Sequence, residues 1–457
     1  MNNFCEECGN KLNPEDLFCE QCGTKVPRTE HEYETETKNK LWPIEFFRNK
    51  KLQQTLPSDA TCGIIFTNLK KMSQIHGSST IETFKTNLLH YIEQFNKLGL
   101  YYLLLDASDN YMKDIGNNNW KHHVNLLRKA SQQVSMRLNL TPGFLLLVGG
   151  TEIIPMPVFE NPTAAKSSDK DVESDLPYSS LSVNSPLENS EARRPVLFTG
   201  RFPTGKNSTI ADLLTLMGNT LNAIGNLSIQ KTFGLSANCW QEVSSVINNH
   251  VAKEQLYISP GLTVDNLTQY YSKQTQLHYF NLHGSDKAPM WYGQKGNAYP
   301  VAFSPAAIAQ NSVFNIIGVE ACYGARFIDL NREESILLSA LANKTVSFVG
   351  SSRIAWGPSA PPMNLADVVI CDFLSLMQQG KPAGEAFLEA RVHAFNNSVE
   401  RDPATSLLTL MEFNLFGDPA FFMQSVQNKI KASSKIIDEQ AYSEIPESQL
   451  TTSKSQP

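Results

Sequence analysis

The sequence predicts an α/β fold: a largely parallel sheet covered on both faces by helices, preceded by a small metal-dependent domain. Three observations predict it. Strand-length apolar runs recur along the chain and end near Gly, Ser, Asp or His. Between them lie longer stretches whose apolar residues fall at spacings of three and four, as on one face of a helix. Ahead of both, Cys-x-x-Cys-Gly is written twice within the first 26 residues. Strands separated by helices of this length need crossover connections, and crossovers make neighbouring strands parallel.

The first element is the doubled cysteine unit. Phe4-Cys5-Glu6-Glu7-Cys8-Gly9 is echoed 14 residues later by Phe18-Cys19-Glu20-Gln21-Cys22-Gly23. Each unit aims two thiolates at one point, the glycine permits the positive φ that closes the knuckle, and two units complete a tetrahedral shell of sulfur. Cys5, Cys8, Cys19 and Cys22 are therefore the expected ligands of one structural zinc. A segment this short buries too little apolar surface to fold alone, so metal binding supplies the folding free energy, roughly 10–16 kcal/mol in small zinc peptides. Four thiolates leave no open position for water, which makes the ion structural and not catalytic. Glu6, Glu7, Glu15, Asp16 and Glu20 outnumber Lys11 and Lys25, which points to a protein partner or a regulatory role and away from nucleic acid. A polar linker follows, over 27–45.

Beyond it, Cys62 to Thr67, Tyr101 to Asp106, Phe144 to Gly149, Val196 to Gly200, Leu277 to Leu282, Val313 to Val319 and Thr345 to Gly350 are the expected strands. Ile81 to Leu98, His122 to Leu138, Ile210 to Ile224, Trp240 to Val251, Glu333 to Leu341, Leu365 to Gln379 and Gly384 to Phe395 are the expected helices. Glu160 to Arg194 is rich in Ser, Asn, Pro and charge and reads as a long surface loop, either an inert insertion or a processing or substrate-gating loop. The tail, 426–457, has few large residues and is expected to be disordered.

Composition narrows the function. The 457 residues are 41% hydrophobic and 18% charged, an ordinary globular balance. A net charge of −6 gives no footprint for nucleic acid or an anionic membrane surface. No run approaches the roughly 20 apolar residues of a membrane span. Met1 to Cys5 lacks a basic segment followed by an apolar one, so no secretory signal is expected, and the scattered cysteines at 62, 239, 322 and 371 fit a reducing, cytoplasmic setting.

In parallel sheets ligands bind beyond the carboxyl ends of strands. Two strands end informatively: Leu277 to Leu282 runs into His283-Gly284-Ser285-Asp286, and Val313 to Val319 into Glu320-Ala321-Cys322-Tyr323-Gly324. If these strands are neighbours, an imidazole within reach of a thiol can take its proton and later hand one to a leaving amine. The backbone N–H groups of Gly284 and Cys322 are candidate donors to an oxyanion. Taken alone, an inert buried cysteine and a packed histidine are the commoner occupants of such positions. Cys371, inside an apolar helical stretch, reads as core. Cys62 has no histidine at a comparable strand end nearby. Cys239 is the one rival nucleophile, set back because no expected strand positions it opposite His283.

Several separate pieces resemble the gingipain-type peptidases, a branch of the caspase-like cysteine peptidases. Phe144-Leu145-Leu146-Leu147-Val148-Gly149-Gly150 followed by Ile154-Pro155, Ser174-Asp175-Leu176-Pro177-Tyr178, and Gly200-Arg201-Phe202-Pro203 are similar to landmarks of that family. Asn281-Leu282-His283-Gly284-Ser285 resembles its catalytic histidine motif and Val319-Glu320-Ala321-Cys322-Tyr323-Gly324 its catalytic cysteine motif. Ser351-Ser352-Arg353-Ile354-Ala355-Trp356 resembles the segment whose tryptophan walls the S1 pocket, and Leu415-Phe416-Gly417-Asp418-Pro419 the closing motif. The resemblance implies an N-terminal α/β subdomain over 46–205 and a catalytic caspase-like subdomain over 206–425. It also implies a Cys322/His283 dyad that hydrolyses peptide bonds of protein or peptide substrates through an acyl-enzyme, with no catalytic cofactor. Ser351 and Trp356 become pocket candidates. The loop around Ala237-Asn238-Cys239-Trp240, where the family keeps its specificity and histidine-orienting acids, shows no acid before Glu242; Asp286 and Glu242 are the acidic candidates for the substrate pocket. An inactive caspase-like scaffold that binds protein through the ribbon is the alternative function.

Overall fold

The computed structural model describes residues 61–108, 119–138 and 141–424, and Lys11 besides. The four zinc-ligand candidates, the linker and the tail lie outside the described residues. In chain order the strands are β1 (Thr61–Thr67), β2 (Leu100–Asp106), β3 (Pro142–Val148), β4 (Val158–Glu160), β5 (Asp171–Glu173), β6 (Phe198–Phe202), β7 (Thr232–Ala237), β8 (Leu256–Ser259), β9 (Leu277–Asn281), β10 (Trp291–Tyr292), β11 (Val301–Phe303), β12 (Asn315–Val319), β13 (Thr345–Ser351) and β14 (Phe413–Gly417).

Ten of them form one sheet in the order β2-β1-β3-β6-β14-β13-β12-β9-β7-β8. Every neighbouring pair is parallel except β13 and β14. The sheet is thus two parallel halves of opposite direction joined at β13/β14. β14 is the last described strand yet lies beside β6, to which it is bonded in register at Phe416 and Arg201. The mostly parallel, helix-flanked architecture expected from the alternation of elements is the one observed. The expected strands and helices all have counterparts. The expected list lacks β7, β8, β14, the ladders β4/β5 and β10/β11, and the helices Leu69–His76 and Pro403–Glu412.

The regular elements follow from burial. β3 buries Phe144, Leu145, Leu146, Leu147 and Val148 in succession, as strands covered on both faces do. The helix Ser78–Lys97 buries Ile81, Phe84, Leu88, Tyr91, Ile92 and Phe95, one stripe at spacings of three and four. The helix Ile210–Ala223 is fastened at its start by a reciprocal Thr209/Asp212 capping box, which satisfies two otherwise orphaned N–H groups.

The segment 160–194 is no plain surface loop. It contains β5, paired antiparallel with β4, and the short helix Leu176–Ser180, and it plugs into the core through charge. Arg201 is fully buried. Its Nε and Nη2 donate to Asp175 Oδ2 and Oδ1 at 2.8 and 2.6 Å, and its Nη1 donates to the carbonyls of Gly149 and Ile154, both at 2.9 Å. Tyr178 Oη donates to the Pro155 carbonyl at 2.6 Å. Elsewhere in the core Asp418 accepts from Tyr102 and Tyr91 at 2.6 and 2.5 Å, and burial pushes its carboxyl up to about 6. Asp175, Tyr178, Arg201 and Asp418 are residues of the sequence landmarks: they are buried charges and hydroxyls that must each meet a fixed partner.

Candidate active site

The strands β7, β9, β12 and β13 run in one direction, so their carboxyl ends share an edge. β9 and β12 are direct neighbours, with Phe280 opposite Val319. His283 and Cys322 therefore leave the sheet side by side. The two exits touch: a Cβ built on Gly284 would sit 1.7 Å from the Cys322 carbonyl oxygen and 3.3 Å from its nitrogen. Only glycine lets the backbones approach this closely. Among the described residues no backbone carbonyl accepts from the N–H of Gly284 or of Cys322.

His283 is half-buried and held from several sides. Its backbone exchanges two hydrogen bonds with Tyr292, at 2.9 and 2.8 Å, which pins it to the hairpin β10/β11. Its Nε2 lies 2.8 Å from Gln294 Oε1 and 3.7 Å from Cys239 Sγ. Trp240 stacks obliquely on the ring at 4.3 Å between centroids, and Tyr299 meets it edge-on at 5.2 Å. Partial burial holds the imidazolium below its ordinary pKa, and the bond to Gln294 partly opposes this. The ring is a neutral base near neutral pH.

The proximity of Cys239 corrects the sequence expectation. β7 ends at Ala237 and is bonded to β9, with Ser236 opposite Asn281, so a strand does deliver Cys239 to the histidine. Thr232-Phe233-Gly234-Leu235-Ser236-Ala237 mixes small and polar residues and carries no long apolar run, which is why its strand is not legible.

Cys322 faces the segment after β13: its Sγ is 3.8 Å from the Ala355 carbonyl. Burial, with smaller contributions from Glu412 and Asp169, pushes the thiol up to about 11. At neutral pH it is a thiol, not a thiolate. Asp169, missed in the sequence, ties the nearby loops together: its Oδ1 accepts from Tyr323 Oη at 2.5 Å and its Oδ2 from the Ile354 N–H at 3.0 Å. Arg353 pairs with Glu173 at 2.5 Å, and Tyr323 N–H donates to the Arg353 carbonyl at 2.8 Å. Tyr323 has φ of 53°, a conformation that costs a non-glycine residue energy and needs surrounding bonds to hold it.

The remaining candidates are distributed unequally. Ser351 closes β13, and its hydroxyl donates to the Arg353 carbonyl at 2.8 Å, within its own turn. Trp356 is half-buried and packs on the apolar cluster of Phe159, Leu176, Leu410 and neighbours, with an indole N–H that meets no acceptor among the described residues. Asp286 is exposed, and its carbonyl accepts from Arg326. Glu242 is exposed in the first turn of the helix Gln241–Val251.

Two residues before Cys322, Glu320 is buried and its carboxyl lies against that of Asp367. Burial raises both carboxyls, and the neighbouring acid raises Glu320 further, so the pair keeps a proton. Acids raised in the folded state contribute stability that is full below their ordinary values and is lost as pH rises through the folded ones. Glu320→Gln, which replaces the shared proton by an amide, is expected to make stability fall less steeply between about pH 5 and 8. Urea midpoints across that range test this, and a slope equal to that of the parent chain refutes the shared proton.

The sheet and its two half-buried strand-end residues define a caspase-like α/β protein of the gingipain type. The family model "Peptidase family C25" matches residues 76–424, and the chain belongs to that family of cysteine-type peptidases. A zinc-ribbon domain model matches residues 4–26. The crystal structure of the Arg-specific cysteine proteinase gingipain R is similar over 80% of this chain and 79% of its own, with a TM-score of 0.56 and 15% identity. The complex of Porphyromonas gingivalis RgpB pro- and mature domains is similar over 79% of each chain, again with a TM-score of 0.56 and 15% identity. No curated protein sequence matches the chain. No described helix is long and apolar enough to cross a membrane.

Proposed function

We propose that this chain is an active cysteine endopeptidase in which Cys322 is the nucleophile and His283 carries its proton. The close packing of Gly284 on the Cys322 backbone carries the reading, because it brings the two strand exits into one site. With the thiol raised and the imidazole lowered, the resting pair is neutral. The sulfur attacks the peptide carbonyl as its proton passes to His283, the oxyanion is received by the N–H groups of Gly284 and Cys322, and His283 protonates the leaving amine. A thioester forms; water, deprotonated by His283, releases the acid and restores the thiol.

The segment from Ser351 to Trp356 and the acids Asp286 and Glu242 are the proposed surroundings of the substrate side chain. The four ribbon cysteines suit zinc as a thiolate set, and the ion would fold that segment. The acidic ribbon then serves as a regulatory or protein-binding module in addition to the subdomains 46–205 and 206–425. A reducing, cytoplasmic compartment fits the free thiols of Cys62, Cys239, Cys322 and Cys371.

A panel of peptide acyloxymethyl ketones varied at P1, read by intact mass, tests the reading. One adduct is expected on the parent chain and none on Cys322→Ala. An adduct that persists in Cys322→Ala moves the nucleophile elsewhere.

A further inference from the structure

We infer that Gln294 is the positioning residue that decides which ring nitrogen of His283 is basic. The inference rests on the reading of His283 as proton carrier, but its geometry stands by itself. Gln294 lies just beyond β10, in the hairpin whose base is bonded to the His283 backbone. That hairpin is anchored by Trp291 and Phe303, both buried and both packed on Phe280 of β9. The amide is therefore carried on a rigid support that shares the histidine's own strand.

The orientation of the amide follows from its other contacts. Its nitrogen lies 3.0 Å from the Gly296 carbonyl and 3.0 Å from Tyr299 Oη. A carbonyl only accepts, so the atom facing Gly296 must be the amide nitrogen, and the oxygen is left facing His283. An amide oxygen only accepts as well. The His283 Nε2 that it meets at 2.8 Å must then carry a hydrogen, and in the neutral ring Nδ1 is left with the lone pair.

Two consequences follow. Cys239, although its sulfur is 3.7 Å from Nε2, faces the nitrogen that already holds a proton, so the ring cannot accept one from it there. That sulfur is thereby disqualified as the partner of the base, and the basic Nδ1 is kept for another thiol. Second, an amide and not a carboxylate occupies the supporting position. It fixes the tautomer without placing a negative charge beside the imidazolium. Among the described residues the ring meets Cys239 and Trp240 from the β7 exit and Gln294 and Tyr299 from the hairpin. Of these, Cys239 is raised by burial and stays a neutral thiol in the working range.

The test is nitrogen NMR of the full-length protein with labelled histidine, together with the pH dependence of Cys322 alkylation by an acyloxymethyl ketone. The parent chain is expected to show His283 as the Nε2–H tautomer. Gln294→Ala should give mixed tautomers and alkylation slower by about tenfold or more, the scale lost when a supporting hydrogen bond is removed. Gln294→Glu should keep the tautomer and raise the His283 pKa by about one unit, since a carboxylate favours the charged ring. A parent chain in the Nδ1–H form, or a Gln294→Glu variant whose ring titrates as the parent does, overturns the inference. The tautomer is read from the ring itself, so a chain without peptidase activity still answers the question, and loss of the proposed activity is distinguished from loss of this role.

Discussion

Asp175→Ala is expected to destabilise the α/β unit by about 3–5 kcal/mol, the range found when one partner of a buried ion pair is removed. Arg201 has no exposed surface and Asp175 nearly none, so the orphaned guanidinium could not turn to water. The carbonyls of Gly149 and Ile154 would still accept from Nη1, but the carboxylate bonded to the guanidinium would be gone, leaving Glu152 as a weaker electrostatic partner. The converse change is informative. Asp175→Leu with Arg201→Met removes both charges together and is expected to recover part of the loss, because a buried pair is seldom more stabilising than well-packed apolar groups. A double-mutant cycle by chemical denaturation measures the coupling, and a single-variant loss below about 1 kcal/mol, the scale of an exposed pair, would deny the ion pair its structural weight. The effect should extend to the site. The Asp175 N–H donates to Asn414 Oδ1 at 2.9 Å, and the same segment delivers Asp169 and Glu173 to Tyr323 and Arg353.

This network explains what was legible in the sequence and what was not. Phe144 to Val148 and Val313 to Val319 announce strands because strands buried on both faces must be apolar throughout. The histidine and cysteine were findable because they follow such strands directly. β14 was not legible as a strand: Phe413 to Gly417 follows the helix Pro403–Glu412 without a break, and its partners β13 and β6 come from distant parts of the chain. Asp169, Gln294 and Glu412 were missed for a related reason. Each lies on a short ladder, a loop or a helix end whose position is set by tertiary packing, and no local period marks it. Gln294 carried one weak signal: it sits between Gly293 and Gly296, in a turn-rich stretch soon after the histidine. The absence of an acid before Glu242 was visible in the sequence; that an amide from a hairpin meets the ring was not.

Gly284→Ala is expected to reduce the rate of Cys322 labelling by about a hundredfold or more, the cost of displacing a reacting group by roughly 1 Å. The methyl group would lie 1.7 Å from the Cys322 carbonyl oxygen and 2.8 Å from its carbon, and neither is the end of a flexible side chain. Either the histidine exit or the cysteine exit must move. The exits are constrained elsewhere: His283 is bonded to Tyr292, and Tyr323 is held to the Arg353 carbonyl and to Asp169. Movement therefore separates the base from the thiol and misaligns the two N–H groups proposed for the oxyanion. Gly218→Ala is the matched control. It lies within the helix Ile210–Ala223 and nothing stands within 4 Å of its added methyl, so it should gain about 0.5–1 kcal/mol of stability and label as the parent does. Far-UV circular dichroism and a denaturation curve on Gly284→Ala separate a displaced site from an unfolded chain. A folded Gly284→Ala protein that labels at the parent rate would mean that Cys322 and His283 do not work together across this contact.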